Sequence, residues 1–190
     1  MEQKTHWIRS EKKAVKSMHW FCRTSVGMER KALQCCSGDL HGRLLGLVPK
    51  KNLPNYSEFY EMRHFEPANE ELDYIEYPGE EEQEWIPFGM QQIFYCPQME
   101  GLTVAAEICE DLWVPQPPSI THAIAGANVI VNLSASDEIT GKDSYRRNLV
   151  GGQSARLVCG YIYADAGEGE SSTDLIFAAH NLIAENGTIL

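Results

Sequence analysis

The chain has 190 residues, a formal net charge of −11 at pH 7, and 43% hydrophobic against 23% charged residues. This balance is typical of a globular domain, and the acidity argues against a nucleic-acid partner. No apolar run is long enough to cross a membrane, no signal-peptide pattern opens the chain, and the 6 cysteines lack regular spacing, so we expect a cytoplasmic protein that does not contact membranes.

The first 34 residues form a basic stretch, with eight Lys and Arg residues against three Asp and Glu residues. They show no helical or strand periodicity, so the simplest interpretation is a basic arm. The pattern becomes orderly from Gly42 onward. We therefore divide the chain into a segment at 1–41 and a domain at 42–190.

From Gly42 the pattern predicts strands that alternate with helices, which indicates an α/β layered domain. Dense carboxylates between Glu66 and Glu84 predict an exposed loop. A turn and a short helix are predicted at Pro54–Glu61. Further helices are predicted at Pro117–Ala127 and at Lys142–Leu157, the last weakened by Gly151 and Gly152. Predicted strands are Arg43–Val48, Gln91–Tyr95, Leu102–Cys109, Asn128–Leu133 and Leu157–Ala164, followed by a hairpin of Asp174–Phe177 and Asn181–Ala184 that ends at Asn186-Gly187.

Cys109 closes an apolar strand, and polar residues follow it at once. A thiol at a strand end, facing the backbone N–H groups of the next turn, suits a nucleophile whose oxyanion is stabilised. For a single cysteine, a buried and inert side chain is the simpler alternative. Lys50 also follows an apolar strand, where its ammonium could lower a thiol pKa and hold an oxyanion, but a surface lysine is the alternative.

Three other features have more than one interpretation. Glu107 and Glu110 flank Cys109, and each suits a base, an orienting group or a solvated carboxylate. The segment Gly167–Thr173 lacks the lysine and the helix of a phosphate-binding loop, so a tight turn is favoured. The 6 histidines match no zinc-binding pattern, so we predict no metal site.

Six segments of the chain occur in an order that is typical of one family. They are VPKKNLPNYSEFYEMRHF, IPFGMQQIF, EICEDLWVPQPPS, NLSASDEITGK, YRRNLVGGQSAR and GYIYADAGEGESSTDLIFAAHNLIAENG. Together they resemble the glutaminase domain of glutamine-dependent NAD+ synthetases, which belongs to the nitrilase (carbon–nitrogen hydrolase) superfamily. The resemblance runs from about Gly42 to Leu190.

The resemblance implies a four-layer αββα sandwich, here partial and without its N-terminal units, with a Glu-Lys-Cys triad. It implies that Cys109 attacks the side-chain amide of glutamine to form a thioester and that Lys50 stabilises the oxyanion. Leu53 lies three residues after Lys50, as the family motif requires, which favours Lys50 over Lys51. Positions that line the family's glutamine pocket are matched by Tyr56, Glu110, Ser136 and Lys142.

The family also implies partners and cofactors. Glutamine is the substrate of this domain, which needs no cofactor, and the ammonia passes to a synthetase domain that uses ATP, Mg and deamido-NAD. The resemblance further implies a homo-oligomer.

Two departures from the family concern catalysis. No segment before Lys50 resembles the one that carries the catalytic glutamate, since Glu2, Glu11 and Glu29 stand in unrelated contexts. The phosphate loop of the synthetase domain is also absent. We therefore expect a fragment of such a synthetase that is inactive as it stands.

The composition of residues 1–41 suggests an out-of-frame translation. When Phe21–Asp39 is back-translated and each codon is read one base downstream, the result can carry VGLP and then GKLYNAA, two motifs that the family has before its lysine. A genuine basic arm is the alternative. An out-of-frame segment would place Cys, Arg, Glu and Ser at buried strand positions, so we expect a marginally stable product.

Three functions remain open at this stage. The first is the glutaminase part of a synthetase, the second a stand-alone nitrilase-type amidase that acts on another small amide, and the third a non-catalytic remnant. The segments EICEDLWVP and GEGESSTDL favour the first.

Overall fold

The computed structural model describes residues 18–27, 32–40, 43–69, 71–78, 83–96, 99–170 and 174–190. Their strands form two sheets. Sheet 1 has the order β1-β2-β3-β5-β4, with bounds Met18–Gly27 (β1), Ala32–Leu40 (β2), Arg43–Pro49 (β3), Asp73–Pro78 (β4) and Gln83–Phe88 (β5).

Sheet 2 has the order β11-β10-β9-β8-β7-β6. Its strands are Phe94–Tyr95 (β6), Thr103–Ile108 (β7), Val129–Ser134 (β8), Gly160–Asp165 (β9), Leu182–Glu185 (β10) and Thr188–Ile189 (β11). The three central strands β7, β8 and β9 run parallel. The connections between them contain the helices α1 (Pro118–Ile124) and α2 (Lys142–Leu157), as parallel pairing requires.

The two sheets face each other across an apolar core. Cys36 and Val48 of sheet 1 pack there against Ala106, Ile108 and Val131 of sheet 2. Because side chains alternate along a strand, the neighbouring residues of β7 point to the other face of sheet 2. A second core lies on that face, where α2 packs on β9 and β10.

The α/β fold class is confirmed, and α2 has the predicted bounds despite its two internal glycines. A Cβ at Gly151 would come within 3.3 Å of the Gly187 carbonyl oxygen, so this glycine lets the β10–β11 turn approach the helix. The predicted strands at 43–48, 102–109, 128–133 and 157–164 are also present, within three residues at each end. In the predicted strand Gln91–Tyr95 only the last two residues form a strand. In place of the short helix predicted within Pro54–Glu61, the structure has a single 3₁₀ turn at Glu61–Arg63.

Three predictions about local structure are wrong. The basic stretch is not without strands, since β1 and β2 pair with each other and β2 pairs with β3. The acidic segment Glu66–Glu84 contains β4 and the start of β5, because Tyr74 and Ile75 supply strand-forming side chains between the carboxylates. The C-terminal hairpin joins β10 to β11 around Asn186, whereas Asp174–Phe177 makes only one isolated bridge, between Phe177 and Asp137.

Candidate active site

Cys109 stands at a sharp turn where β7 ends and a 3₁₀ helix (Cys109–Leu112) begins. Its φ is +46°, in the left-handed region that costs a non-glycine residue about 1–2 kcal/mol. Two side chains support this turn: Asn132 Oδ1 accepts a hydrogen bond from the Cys109 N–H at 3.1 Å, and Asp111 Oδ2 accepts one from the Ile108 N–H at 3.1 Å. The strained turn directs a half-buried thiol toward a surface pocket.

Lys50 approaches the thiol from the other sheet, directly after β3. Its side chain is fully buried, and Nζ donates a hydrogen bond to Glu61 Oε2 at 2.6 Å. Sequence reasoning did not single out Glu61. The signal available in the sequence was the separation of 11 residues between Lys50 and Glu61, because a turn of that length can bring the glutamate back to the lysine.

The two groups influence each other's protonation. Burial lowers the pKa of Lys50, but the charges of Cys109 and Glu61 outweigh it, and the net pKa is raised. Burial raises the pKa of Cys109, and the Lys50 ammonium only partly offsets this. At neutral pH the pair is therefore an ammonium beside a protonated thiol, and attack by the thiol requires a base.

The pocket in front of Cys109 has a volume of about 430 Å³. Trp113 and Tyr145 stack at 5.4 Å between ring centroids, and Lys142 Nζ lies 5.4 Å from the Trp113 ring and 5.7 Å from the Phe59 ring. Lys142 also forms an ion pair with Asp137. The pocket thus combines aromatic walls with the ammonium of Lys142 and the carboxylates of Glu58 and Glu110, which suits a small zwitterionic ligand.

The structure brings the sequence-predicted site residues together. The pocket is lined by Cys109, Tyr56, Glu110, Ser136 and Lys142, and Lys50 lies buried behind the thiol. Tyr56 Oη donates to the Glu110 carboxylate at 3.1 Å, and the Ser136 N–H donates to Asp165 Oδ1 at 2.7 Å. Burial and the Glu110 charge raise the pKa of Tyr56, so its hydroxyl remains a donor at neutral pH.

Comparisons with known proteins are consistent with this geometry. A glutamine-dependent NAD(+) synthetase of Mycobacterium tuberculosis is 44% identical over 149 residues, which cover 78% of this chain and 21% of the relative. The crystal structure of a glutamine-dependent NAD(+) synthetase from Cytophaga hutchinsonii aligns with a TM-score of 0.76 at 25% identity, over 91% of this chain and 27% of that one. Over these residues the chain is homologous to glutamine-dependent NAD(+) synthetases.

The fold extends beyond the synthetases. An amidase of the nitrilase superfamily from Nesterenkonia aligns with a TM-score of 0.66 at 14% identity, over 92% of this chain and 56% of that one. The predicted carbon–nitrogen hydrolase fold is therefore confirmed. No family model matches the chain. The chain spans 21% of the length of the curated synthetases that it matches.

A bridge between the two sheets connects the lysine segment of this synthetase homologue to its cysteine turn. Asn52 donates two hydrogen bonds to Asp111 Oδ1, from its backbone N–H at 2.8 Å and from Nδ2 at 2.9 Å. Asp111 also supports the turn at Cys109 from within the 3₁₀ helix. The bridge therefore fixes the separation of Lys50 and Cys109, and sequence reasoning missed both of its residues.

The two glutamates that flank the cysteine have different surroundings. Glu110 lines the pocket, whereas Glu107 is fully buried and contacts Tyr161 Oη and the Ser119 N–H. Burial raises the pKa of Glu107 to about 7, although both hydrogen bonds act in the opposite direction. Of the alternatives for Glu107, a solvated carboxylate is excluded by its burial.

No group of three or more His, Cys, Asp or Glu side chains in the described part of the chain could hold a metal ion. Among the same residues, no helix combines the length and the apolar character that crossing a membrane requires.

The Gly167–Thr173 segment forms a turn over its described residues, where the Glu170 N–H donates to the Gly167 carbonyl at 3.2 Å.

Proposed function

We propose that this chain carries the nucleophile, the oxyanion-stabilising lysine and the substrate pocket of a glutaminase site. One observation carries the proposal: Cys109 lines a pocket together with Lys142, Glu110 and Ser136, and the buried ammonium of Lys50, from the other sheet, acts electrostatically on its thiol. A thiol next to a buried ammonium is suited to acyl transfer, because the tetrahedral intermediate of that reaction carries a negative oxygen.

The reaction proceeds in two steps. Cys109 Sγ attacks the side-chain amide carbon of glutamine, a C–S bond forms, and the ammonium of Lys50 stabilises the developing oxyanion. The C–N bond then breaks, and ammonia leaves with the proton that the thiol has lost. Water hydrolyses the resulting thioester to glutamate and regenerates the thiol.

The pocket can bind the two charged groups at the other end of glutamine. The ammonium of Lys142 suits the α-carboxylate, and the carboxylate of Glu110, held by Tyr56, suits the α-ammonium. The Trp113 and Phe59 rings lie beside Lys142 and form an apolar part of the pocket wall.

The proton transfers have no base among the described residues. No described carboxylate makes a hydrogen bond with the Cys109 thiol, since Glu61 is bound to Lys50 and Glu110 to Tyr56. Glu2, Glu11 and Glu29 lie outside the described residues. General acid–base catalysis contributes about 10²–10⁴-fold, so the described residues without a base would turn over glutamine slower than a site with one by about that factor.

The whole-protein role follows as part of the proposal. Ammonia released here would serve the ATP-dependent amidation of deamido-NAD, and we assign ATP, Mg and deamido-NAD to the part of the relatives that this chain does not match. No step in the described site runs through a metal or a nucleotide. The same proposal includes a homo-oligomer in the cytoplasm.

Labelling with diazo-oxo-norleucine, the diazoketone analogue of glutamine, tests the proposal without requiring turnover. We expect one adduct per chain, on Cys109, and protection of Cys109 by glutamine but not by asparagine. Cys96, which is half-buried and outside the pocket, is the internal control. Protection by acetamide but not by glutamine would favour a small-amide amidase, and equal labelling of both cysteines would contradict the proposal.

A further inference from the structure

A line of hydrogen-bonded side chains runs from the turn at Cys109 across the face of sheet 2 that is covered by the helices. It starts at Asn132 on β8, which is fully buried. Asn132 Oδ1 accepts from the Cys109 N–H at 3.1 Å, and Asn132 Nδ2 donates to the Cys109 carbonyl oxygen at 3.5 Å. One amide therefore contacts both backbone polar groups of the nucleophile's own residue.

The remaining hydrogen-bonding positions of the Asn132 amide are also occupied. Ser134 Oγ donates to Oδ1 at 2.7 Å, and Nδ2 donates its second hydrogen to Tyr161 Oη at 3.2 Å. An amide with all four contacts filled has one defined orientation, because rotation by half a turn would place donors against donors. Neither a carboxylate nor an apolar side chain of the same shape could make this set of contacts.

Tyr161 connects this amide to a buried carboxylate. Its hydroxyl accepts from Asn132 and donates to Glu107, which is paired with Asn132 in the β7–β8 ladder. Burial and the Glu107 charge raise the pKa of Tyr161 well above its ordinary value, so the hydroxyl keeps its proton. Asn132 therefore donates to Tyr161, and Tyr161 donates to Glu107 when that carboxyl is ionised.

Glu107 in turn is held by the first turn of α1. Its second oxygen accepts from the Ser119 N–H at 2.8 Å, and Gln153 of α2 donates to Ser119 Oγ at 2.8 Å. The exposed fractions of Glu107, Asn132 and Tyr161 are 1%, 0% and 0%. Buried networks of this kind restrict the residues that they contact when every member is satisfied.

We propose that Asn132 is a positioning residue that holds Cys109 in its left-handed conformation and so keeps the thiol beside Lys50. Tyr161 and Glu107 lock the orientation of the Asn132 amide. This inference rests on the proposed function, because it assigns a task to residues that support the proposed nucleophile. It concerns positioning only, since none of the three side chains contacts the thiol's reacting sulfur through a hydrogen bond.

The variant Tyr161→Phe removes one hydroxyl and leaves the ring that packs in the core. We expect it to slow alkylation of Cys109 by iodoacetamide at pH 7 about tenfold, because a misplaced thiol loses the effect of Lys50 on its thiolate fraction. Ser154→Ala is the matched control: Ser154 is as buried and donates to the Cys159 carbonyl at 2.6 Å, but has no contact with Asn132. Its alkylation rate at Cys109 should equal that of the unaltered chain.

A double-variant comparison distinguishes positioning from general loosening of the fold. If the network acts by keeping the thiol beside Lys50, Tyr161→Phe should have no further effect in a chain that already carries Lys50→Met. Peptide mapping by mass spectrometry gives the rate at Cys96 in the same samples as an internal reference. Equal slowing of Cys96 and Cys109, or the same slowing in both backgrounds, would overturn the proposal.

Amide hydrogen exchange gives a measurement that does not depend on thiol reactivity. The Cys109 N–H should exchange faster in Tyr161→Phe than in the unaltered chain or in Ser154→Ala, and unchanged exchange would overturn the inference. Failure of glutamine to protect Cys109 from diazo-oxo-norleucine in the unaltered chain would instead contradict the proposed function. The exchange result would then still decide whether Asn132 positions the turn.

Discussion

The two sides of Cys109 hold the residue in different ways. On the side of sheet 1, Lys50 and Glu61 form a buried ion pair at 2.6 Å, which acts through charge. On the side of sheet 2, Asn132 contacts the cysteine backbone and is itself fixed by Tyr161, which acts through geometry. A glutamate is present on each side, but Glu61 pairs with a cation and Glu107 has only hydrogen-bond donors as partners.

This difference separates two tasks that one nucleophile requires. The ionic side determines how readily the thiol loses its proton and how well an oxyanion is stabilised. The hydrogen-bonded side determines where the thiol lies, because it restrains a left-handed turn that would otherwise relax. Charge-removing variants on the two sides should therefore change different observables.

The largest expected effect is on stability and comes from Glu107→Gln. The pKa of Glu107 is raised to about 7 in the folded chain, so the folded state keeps its proton while the unfolded state loses it. The contribution of protonated Glu107 to the free energy of unfolding is fully present below the pKa that this side chain has in the unfolded chain. It falls as pH rises and is lost above pH 7, a change of about 3 kcal/mol. Denaturant unfolding should show the stability of the unaltered chain falling by that amount relative to Glu107→Gln between pH 4.5 and pH 7.

The exposed Glu185 on β10 provides the control for this pH dependence of the free energy of unfolding. Glu185→Gln should leave the pH dependence of unfolding unchanged. If Glu107→Gln and the unaltered chain keep a constant difference across this range, Glu107 is not the neutral buried acid that separates the two sides of the cysteine.

The next effect concerns the pocket and leaves both sides of Cys109 unchanged. Lys142→Met should reduce labelling by diazo-oxo-norleucine about thirtyfold, because a charge-assisted contact to the α-carboxylate is lost. Alkylation of Cys109 by iodoacetamide should not change. Arg147→Met, at an exposed position of α2, should alter neither rate. A parallel loss of both reactions in Lys142→Met would mean that Lys142 supports the thiol rather than the substrate.

The smallest effect has an unusual sign. Glu61→Gln should speed alkylation of Cys109 at pH 7 about threefold, since the Glu61 charge raises the thiol pKa and partly neutralises Lys50. The exposed Glu66 serves as the control position, with no change expected for Glu66→Gln. Slower alkylation in Glu61→Gln would show that Glu61 acts mainly by placing Lys50, so that both sides of the cysteine would then act through geometry.

Sheet 2 could be predicted from the sequence because its information is local. Apart from Asn132, the run Val129–Leu133 is apolar on both faces, as is typical of a central parallel strand, and Cys109 follows a run that is apolar apart from Glu107. The bounds of α2 followed from the helical pattern in the same way. The resemblance then supplied Lys50 and the pocket positions, which no local pattern would have joined.

The parts that escaped prediction depend on contacts between distant residues. Strand β2 contains Cys36 and Ser37 at buried positions, and its pairing with β3 overrides a pattern without periodicity. Tyr161 and Asn132 are 29 residues apart in sequence, so their hydrogen bond follows only from strand order. The out-of-frame interpretation of residues 1–41 stays a prediction, to be checked by sequencing the transcript.

The pairing of Cys109 with Lys50 is tested by the pH dependence of Cys109 alkylation in Lys50→Met, with Lys51→Met as the matched control. Lys50→Met should raise the pKa of the Cys109 thiol and slow alkylation at pH 7 by about tenfold to a hundredfold, since a buried ammonium next to the thiol is lost. Lys51→Met should leave the profile unchanged. The same pH profile in Lys50→Met as in the unaltered chain would contradict the pairing of this cysteine with this lysine.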